Sequence, residues 1–228
     1  MAFAVSGIGG CKNNDAPKTE IKGSVAGDSD LKSLLQANMP ENGDEIAVIT
    51  TDMGVIKVRF FPEQAPKAVE NFITHAKAGY FNNIKFHRIV SDFMIQSGDP
   101  TGTGSGGDSI WGEPFELEAD PNLFNFRGAL AMARQSGNIN SNKSQFFIVQ
   151  NSSVHESQVS GYTGDVKEAY LKYGGSPHLD GDYTVFGQVI EGMDVADKIS
   201  AEAGSSTNAG TPKKTVNIQK VEIVEYNQ

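Results

Sequence analysis

Apolar and polar residues alternate along two neighbouring runs of the chain, at 45–51 and 54–60. Residues two apart lie on the same face of a β-strand, so each run predicts a strand with one buried face. The residues D-M-G at 52–54 are typical of a hairpin turn between them. Alternation returns at 215–225, and short apolar runs between these points predict further strands. These runs lie near residues 85–89, 93–97, 128–133, 145–149 and 184–190.

Helical spacing of apolar residues occurs in two segments of the same region. Apolar side chains recur every three or four positions in residues 68–79, where Pro62 and Pro66 precede the pattern and Gly79 ends it. Residues 192–203 show the same spacing and predict a second helix. Many strands with only two core helices favour a closed β-barrel. The residues expected to face inward are Val69, Phe72, Ile73 and Ala76 in the first helix and Met193, Val195, Ala196 and Ile199 in the second.

The first 44 residues differ in composition from the rest of the chain. Residues 1–11 are apolar and small and end in I-G-G-C, which resembles a bacterial lipobox, although the apolar part is short and lacks a basic start. We therefore expect Cys11 to be lipidated after cleavage. Residues 12–44 are mostly polar and are expected to form a flexible tether with one short helix over 31–39. The alternative is a disordered start that carries an incidental thiol.

The charge and the cysteine content exclude several classes of protein. A formal net charge of -9 and a pI of about 4.9 give no support for nucleic-acid binding. No apolar run approaches the roughly 20 residues that are needed to span a bilayer, so only a lipid anchor would attach this chain to a membrane. Cys11 is the only cysteine, which precludes a disulfide within the chain.

Motifs for cofactors and metals are weak. Residues 102–107 match the pattern G-x-G-x-x-G, but no helix follows them, so we do not expect nucleotide binding. The four histidines lack the spacing of metal ligands, and no cysteine pair exists. The G-x-S-x-G elbow of serine hydrolases is also missing from the sequence. We therefore expect a function that uses neither a metal nor a cofactor.

The candidate chemistry lies in residues 86–98, where one cation stands among large apolar side chains. Arg88 is followed by Phe93 and Met94 and then by an amide, Gln96. A second run, S-Q-F-F-I-V, places Gln145 and Phe147 on one strand face. These residues predict an apolar cup with a guanidinium and two amides at its rim, suited to a neutral, partly apolar ligand that contains a carbonyl. The alternative for Arg88 alone is an ordinary strand arginine paired with a carboxylate.

Five ordered segments resemble the cyclophilins, a family of peptidyl-prolyl cis-trans isomerases, and the likeness covers residues 45–228. Motifs of this length in the same order are much more specific than a single short pattern. The resemblance implies an eight-stranded antiparallel barrel capped by two α-helices, hence a mainly β fold. The segments are F-H-R-I-V-S-D-F-M-I-Q-S-G-D (86–99), G-S-G-G-D-S-I-W-G-E-P-F (104–115), G-A-L-A-M-A-R (128–134), S-Q-F-F-I (144–148) and H-L-D-G-D-Y-T-V-F-G-Q-V (178–189).

The resemblance also implies roles for individual residues. Arg88 corresponds to the donor that acts on the prolyl nitrogen, Gln96 to the group that orients it, and Gln145 to a group that holds the peptide. His87 corresponds to a wall residue rather than a proton carrier. Phe93, Met94, Phe147 and Leu179 would line the proline pocket, Ala133 and Arg134 would contact the peptide backbone, and Gly104 would shape an adjoining pocket.

Three positions and one segment depart from the family pattern. Arg134 stands where many members have asparagine, His178 where tryptophan is common, and Tyr183 where a histidine lines the pocket rim. Residues 151–177 form an insert with helical spacing in D-V-K-E-A-Y-L-K-Y. A loop of this size without a purpose is uncommon, and it ends directly before His178, so we expect it to lie beside the pocket.

We therefore expect an isomerase of X-Pro peptide bonds that assists the folding of exported proteins. Its partners would be proline-containing segments of unfolded or exported proteins, and it would act as a monomer. The lipobox places it in a bacterial cell envelope, in the periplasm and anchored to a membrane by lipid. The alternative function is a chaperone module that binds proline-containing segments with little turnover.

Overall fold

The structure is a computed structural model and describes residues 23–204 and 210–227. Over these residues the chain forms nine β-strands in one antiparallel sheet and three α-helices. Cys11 and the predicted lipobox lie outside the described residues. Within the described ranges, no helix has the length and apolar character that a membrane span requires. The strands are β1 (Glu45–Thr51), β2 (Gly54–Phe60), β3 (Ile84–Lys85), β4 (Arg88–Val90), β5 (Met94–Ser97), β6 (Ala129–Met132), β7 (Phe146–Val149), β8 (Val185–Glu191) and β9 (Asn217–Glu225), and the helices are α1 (Pro66–Lys77), α2 (Gly164–Tyr173) and α3 (Met193–Ser200).

The sheet curls on itself, and its two edge strands are consecutive in the sequence. The strand order is β3-β9-β1-β2-β8-β6-β7-β5-β4, so the edges are β3 and β4. One segment, 84–90, therefore pairs with β9 through Ile84 and with β5 through Arg88. The predicted β-barrel is confirmed, with nine strands instead of eight because the pairing of this segment is interrupted at Phe86 and His87.

Helices α1 and α3 pack onto the barrel core, as their apolar spacing predicts. Helix α1 begins at Pro66, where a proline costs no hydrogen bond because the first turn has free N–H groups. Its Phe72 is 1% exposed and lies at the centre of the core. The centroid distances from the Phe72 ring are 4.9 Å to Phe81, 5.2 Å to Phe146, 5.6 Å to Phe186 and 5.7 Å to Phe60.

Residues 23–44 are folded against the barrel, which corrects the expectation of a flexible tether over 12–44. The side chain of Gln36 is fully buried, and its Nε2 donates to Phe124 O and Gln188 Oε1, each at 2.8 Å. Two short 3-10 turns replace the single helix expected over 31–39. The predicted flexible part that remains, 12–22, lies outside the described residues. Val25, Leu31, Leu34 and Ala37 form one buried cluster with Phe126, Val159, Ala169 and Tyr170, the last two on α2.

Candidate active site

The predicted cup forms on the outer face of the sheet, where three strands lie side by side. Arg88 on β4 is directly opposite Gln96 on β5, which in turn is opposite Phe147 on β7. Residues directly opposite each other share a face, so the sequence-predicted cation, amide and aromatic ring form one row across the strands. The alternate row points into the barrel core and consists of Ile89, Ile95, Ile148 and Leu130.

Arg88 has neutral partners in this row. Its guanidinium lies 3.4 Å from Gln96 Oε1 and 3.8 Å from Met94 Sδ. Arg88 takes part in none of the ion pairs formed by residues 23–204 and 210–227, so the alternative of a strand arginine paired with a carboxylate finds no support there. No carboxylate in the described part of the chain therefore cancels the positive charge, which is available to a ligand.

The two amides form a directed chain that leads away from Arg88. Gln96 accepts from Arg88 through Oε1, and its Nε2 donates to Gln145 Oε1 at 2.9 Å. Gln145 Nε2 donates to Gly106 O at 2.8 Å and to Gly104 O at 3.1 Å. Each amide is thereby held in one orientation, and Gln96 is left with an oxygen, not an N–H, facing the guanidinium.

Asp99 organises the glycine-rich loop that supplies those carbonyls, a role that the sequence-based site prediction missed. The buried carboxylate accepts from Thr101 N at 2.8 Å, Gly104 N at 2.6 Å and Gly106 N at 3.2 Å. Burial alone would raise its pKa, but the bonds from Thr101 and from the Gly106 and Gly104 amides hold the pKa of Asp99 well below its ordinary value. The signal was an aspartate two residues before a threonine at the start of a glycine run, which is typical of a turn held by a side chain.

The predicted apolar wall of Phe93, Met94, Phe147 and Leu179 is assembled from three separate parts of the chain. Met94, Phe147 and Leu179 are 1%, 4% and 7% exposed and belong to one cluster. The Phe93 ring stacks on His178 with centroids 5.8 Å apart, and Tyr183 meets Phe147 edge-on at 5.6 Å. Ala133 packs against the same cluster, which also includes Phe61 and Leu123, residues that the sequence did not indicate.

Two of the departures from the family pattern contact each other. The Arg134 guanidinium carbon lies 4.4 Å above the Tyr183 ring, a cation–π arrangement. Arg134 Nε donates to Asp182 O at 2.8 Å, which holds the guanidinium in place. Arg134 also borders a cavity of about 230 Å³. That cavity is further lined by Gln96, Gln145, Gly104, Ala133 and Lys143.

His87, the predicted wall residue, lies beneath the loop at 102–107. A Cβ added at Gly104 would lie 3.4 Å from His87 Cδ2, so the loop passes close over the imidazole. Burial lowers the pKa of His87 below its ordinary value of 6.5, and a neutral imidazole is therefore favoured at physiological pH. Across 23–204 and 210–227, no three His, Cys, Asp or Glu side chains form a group that could hold a metal ion.

Comparisons with known proteins agree with this geometry. The family model for the cyclophilin type peptidyl-prolyl cis-trans isomerases matches residues 46–223. A Staphylococcus saprophyticus protein named "Putative peptidyl-prolyl cis-trans isomerase" is 46% identical over 199 residues, which cover 83% of this chain and 98% of the relative. A Staphylococcus aureus protein of the same name is 41% identical over 203 residues, covering 84% of this chain and 100% of the relative.

A solved structure shows the same fold. The cyclophilin type peptidyl-prolyl cis-trans isomerase of Cryptosporidium parvum, crystallised in the presence of the dipeptide Ala-Pro, superposes with a TM-score of 0.65 at 33% sequence identity. The match covers 80% of this chain and 99% of that protein.

Proposed function

The chain belongs to the cyclophilin-type peptidyl-prolyl cis-trans isomerase family and is an isomerase of this type, and from this premise we propose that Arg88 is the group that accelerates bond rotation. The observation that carries the proposal is the uncancelled guanidinium of Arg88 at the rim of an apolar cup, hydrogen-bonded to an amide oxygen. The proposed substrates are proline-containing segments of unfolded or exported proteins.

The reaction needs a hydrogen-bond donor to the prolyl nitrogen and no nucleophile. Rotation about a peptide bond faces a barrier of about 18–20 kcal/mol, because resonance between the nitrogen and the carbonyl is lost in the twisted state. In that state the prolyl nitrogen regains a lone pair, and a hydrogen-bond donor aimed at it stabilises the transition state more than either planar form. A guanidinium suits this role because it stays charged and its donors have a fixed geometry.

The neighbouring residues would bind and align the peptide. Gln96 accepts one Arg88 N–H and so limits the directions in which the remaining donors can point. The pocket of Phe93, Met94, Phe147 and Leu179 offers an apolar surface for the proline ring, and Gln145, Ala133 and Arg134 flank it for the peptide backbone. The presence of Ala-Pro in the Cryptosporidium parvum crystals supports a proline-containing peptide as the ligand class.

The test is an isomerisation assay on an Ala-Pro peptide with the wild type and Arg88→Ala. Loss of a charged donor to the transition state should reduce kcat/KM on the order of a hundredfold, with the fold intact by circular dichroism. Arg88→Lys serves as the matched variant, because it keeps the charge and loses the planar fork. Near-wild-type turnover in Arg88→Ala would overturn the mechanism. A wild type that binds the peptide without accelerating its isomerisation would instead favour the chaperone module.

The proposed location is a bacterial cell envelope, with the protein attached to a membrane through a lipid on Cys11. The support is the lipobox-like I-G-G-C sequence and the bacterial source of the similar staphylococcal proteins. Residues 12–22 would then form the spacer. A flexible chain of that length spans roughly 20 Å on average, enough to hold the pocket outside the lipid headgroups.

A further inference from the structure

We propose that the insert at 151–177 positions the wall of the substrate pocket, through two tyrosine hydroxyls that hold Asp180. This inference rests on the proposed function, because the pocket concerned is the one assigned there to the proline ring. It assigns Tyr162, Tyr170 and Asp180 as positioning residues. None of these three residues has a role in the proposed function.

The two hydroxyls converge on a single carboxylate oxygen. Tyr162 Oη donates to Asp180 Oδ2 at 2.7 Å, and Tyr170 Oη donates to the same oxygen at 2.6 Å. The other oxygen, Oδ1, accepts from Asn125 N at 2.7 Å and from Asn125 Nδ2 at 3.0 Å. Four donors from two parts of the chain therefore hold both oxygens of one side chain, and charge-assisted bonds of this kind are among the stronger ones in proteins.

Asp180 directly follows the turn that carries two pocket residues. The 3-10 turn Pro177–Leu179 contains His178, which stacks on Phe93, and Leu179, which is buried in the apolar wall. The backbone continues through Asp182, whose carbonyl accepts from Arg134, to Tyr183. A shift of Asp180 would therefore move the wall on the side of the pocket that faces Phe93 and Phe147.

The insert presents these hydroxyls as rigid donors. Tyr170 is fully buried on α2, and its ring lies 4.6 Å from Phe126 and 5.4 Å from Tyr162. Burial, together with the nearby Asp180 carboxylate, raises the pKa of both phenols, so both keep their protons at physiological pH. A ring without the hydroxyl would preserve the packing and remove the bonds to Asp180, together with a second bond from Tyr162 Oη to Pro177 O at 3.2 Å, in the turn that carries His178 and Leu179.

The same helix supplies a matched control. Tyr173 on α2 also donates to a carboxylate, Asp28 Oδ2 at 2.7 Å, but Asp28 belongs to the N-terminal segment and not to the pocket wall. Tyr173→Phe removes the same kind of bond, between a tyrosine hydroxyl and an aspartate, from the same element. A comparison with Tyr173→Phe therefore distinguishes a loss of fold stability from a change in the position of the pocket wall.

The experiment compares the Tyr162→Phe/Tyr170→Phe double variant, Asp180→Asn and Tyr173→Phe with the wild type. Three quantities are measured well below each melting temperature: the Kd of an Ala-Pro peptide by titration, and kcat and KM for its isomerisation. We expect the double variant and Asp180→Asn to raise Kd and KM roughly fivefold or more with a smaller change in kcat, because a looser wall costs preorganisation and leaves Arg88 in place. Tyr173→Phe should keep the wild-type Kd and KM.

Two outcomes would overturn the inference. One is a folded double variant with wild-type Kd and KM, and the other is a Tyr173→Phe variant whose Kd rises as much as that of the double variant. The titration keeps this result separate from the proposed function, because it does not depend on turnover. A wild type without isomerase activity would remove the proposed function, whereas the Kd values would still decide whether the insert positions the pocket.

Discussion

At the scale of single residues, the position of the Arg88 side chain depends on the residue packed against its stem, Gly210, as well as on its hydrogen-bond partner Gln96. The carbonyl of Gly210 accepts from Ile89 N at 2.7 Å, so residue 210 lies directly against β4. Gly210 has a φ of +87°, and a Cβ added to it would lie 2.8 Å from Arg88 Cγ and 3.1 Å from Val90 Cγ2. A larger residue would therefore displace the stem that carries the guanidinium.

Gly210→Ala should consequently reduce kcat/KM by about tenfold, because a small displacement of Arg88, the proposed transition-state donor, is costly. The matched control is Gly112→Ala, since Gly112 has a φ of +79° and no atom within 4 Å of an added Cβ. In both variants an alanine must adopt a left-handed backbone conformation, which lowers the free energy of unfolding by about 1 kcal/mol. Equal kcat/KM values for the two variants would contradict the assigned contact.

The protonation of the site gives a second test at this scale. Burial keeps the pKa of His87 below its ordinary value of 6.5. We therefore expect kcat/KM to show no step from His87 between roughly pH 7 and 9, where this imidazole does not change charge. Below pH 6.5 the unfolded chain binds a proton at this histidine that the folded chain resists, so the free energy of unfolding contributed by His87 should fall as the pH falls.

A pH titration of kcat/KM checks the expectation, with His87→Phe as the companion variant. The phenylalanine keeps an aromatic wall residue and cannot titrate. A step in the wild-type rate between pH 7 and 8 that disappears in His87→Phe would show that the imidazole carries a proton in the reaction.

At the scale of elements, a buried ion pair ties helix α3 to the sheet. Arg127, just before β6, is 1% exposed, and its NH2 group donates to both carboxylate oxygens of Asp197 at 2.6 Å. Gln150 Nε2 donates to the same carboxylate at 2.9 Å, and the Gln150 backbone N–H donates to Phe93 O at 2.8 Å. The network thus reaches from α3 to the turn that carries a pocket residue.

Asp197→Ala should lower the free energy of unfolding by about 3 kcal/mol or more, because it removes the carboxylate that pairs with a buried guanidinium. Asp194→Ala on the same helix is the control. Asp194 pairs with Lys198 at 2.8 Å across an exposed turn, and removing such a pair costs about 0.5 kcal/mol. Urea unfolding curves of the two variants give the comparison. A loss of similar size in both would show that the buried pair does not stabilise the fold.

At the scale of the whole molecule, the polar N-terminal segment consists of two parts, a folded part at 23–44 and the proposed spacer at 12–22. Residues 23–44 belong to the folded body, where Ser24 Oγ accepts from Gln188 Nε2 at 2.6 Å and Asp28 pairs with Lys172 on α2 at 2.7 Å. The proposed anchor at Cys11 is therefore separated from the barrel by few residues. This geometry would keep the pocket near a membrane surface.

Expression in the native host, with whatever sequence precedes residue 1 there, should place the protein in the membrane fraction, whereas Cys11→Ser should be released or misprocessed. The several acyl chains of a lipoprotein hold a protein firmly, while a single chain binds only marginally. Intact-mass analysis of the mature protein is the decisive measurement. A mature form that retains residues 1–10, or that has an unmodified Cys11, would refute the anchor, and Cys11→Ser should show isomerase activity equal to that of the wild type.

Much of the architecture follows from short-range patterns in the sequence. The hairpin at 45–60 and the helices near 66–77 and 193–200 follow from spacings of two and of three to four residues, because neighbouring side chains must share a buried face. The cup itself was predictable for the same reason. Arg88, Gln96 and Phe147 occur at positions whose alternation places them on the same side of adjacent strands.

What only the tertiary structure decided depends on segments far apart in the chain. The burial of 23–44, the loop held by Asp99, the contact of Arg134 with Tyr183 and the bonds from the insert to Asp180 each join loops whose positions are set by the whole barrel. Local spacing carries no information about such long-range contacts, because the sequence does not show whether a polar side chain faces water or a distant partner. The sequence by itself therefore determined the barrel, its family and the row of Arg88, Gln96 and Phe147, and the tertiary structure decided which distant segments hold that row in place.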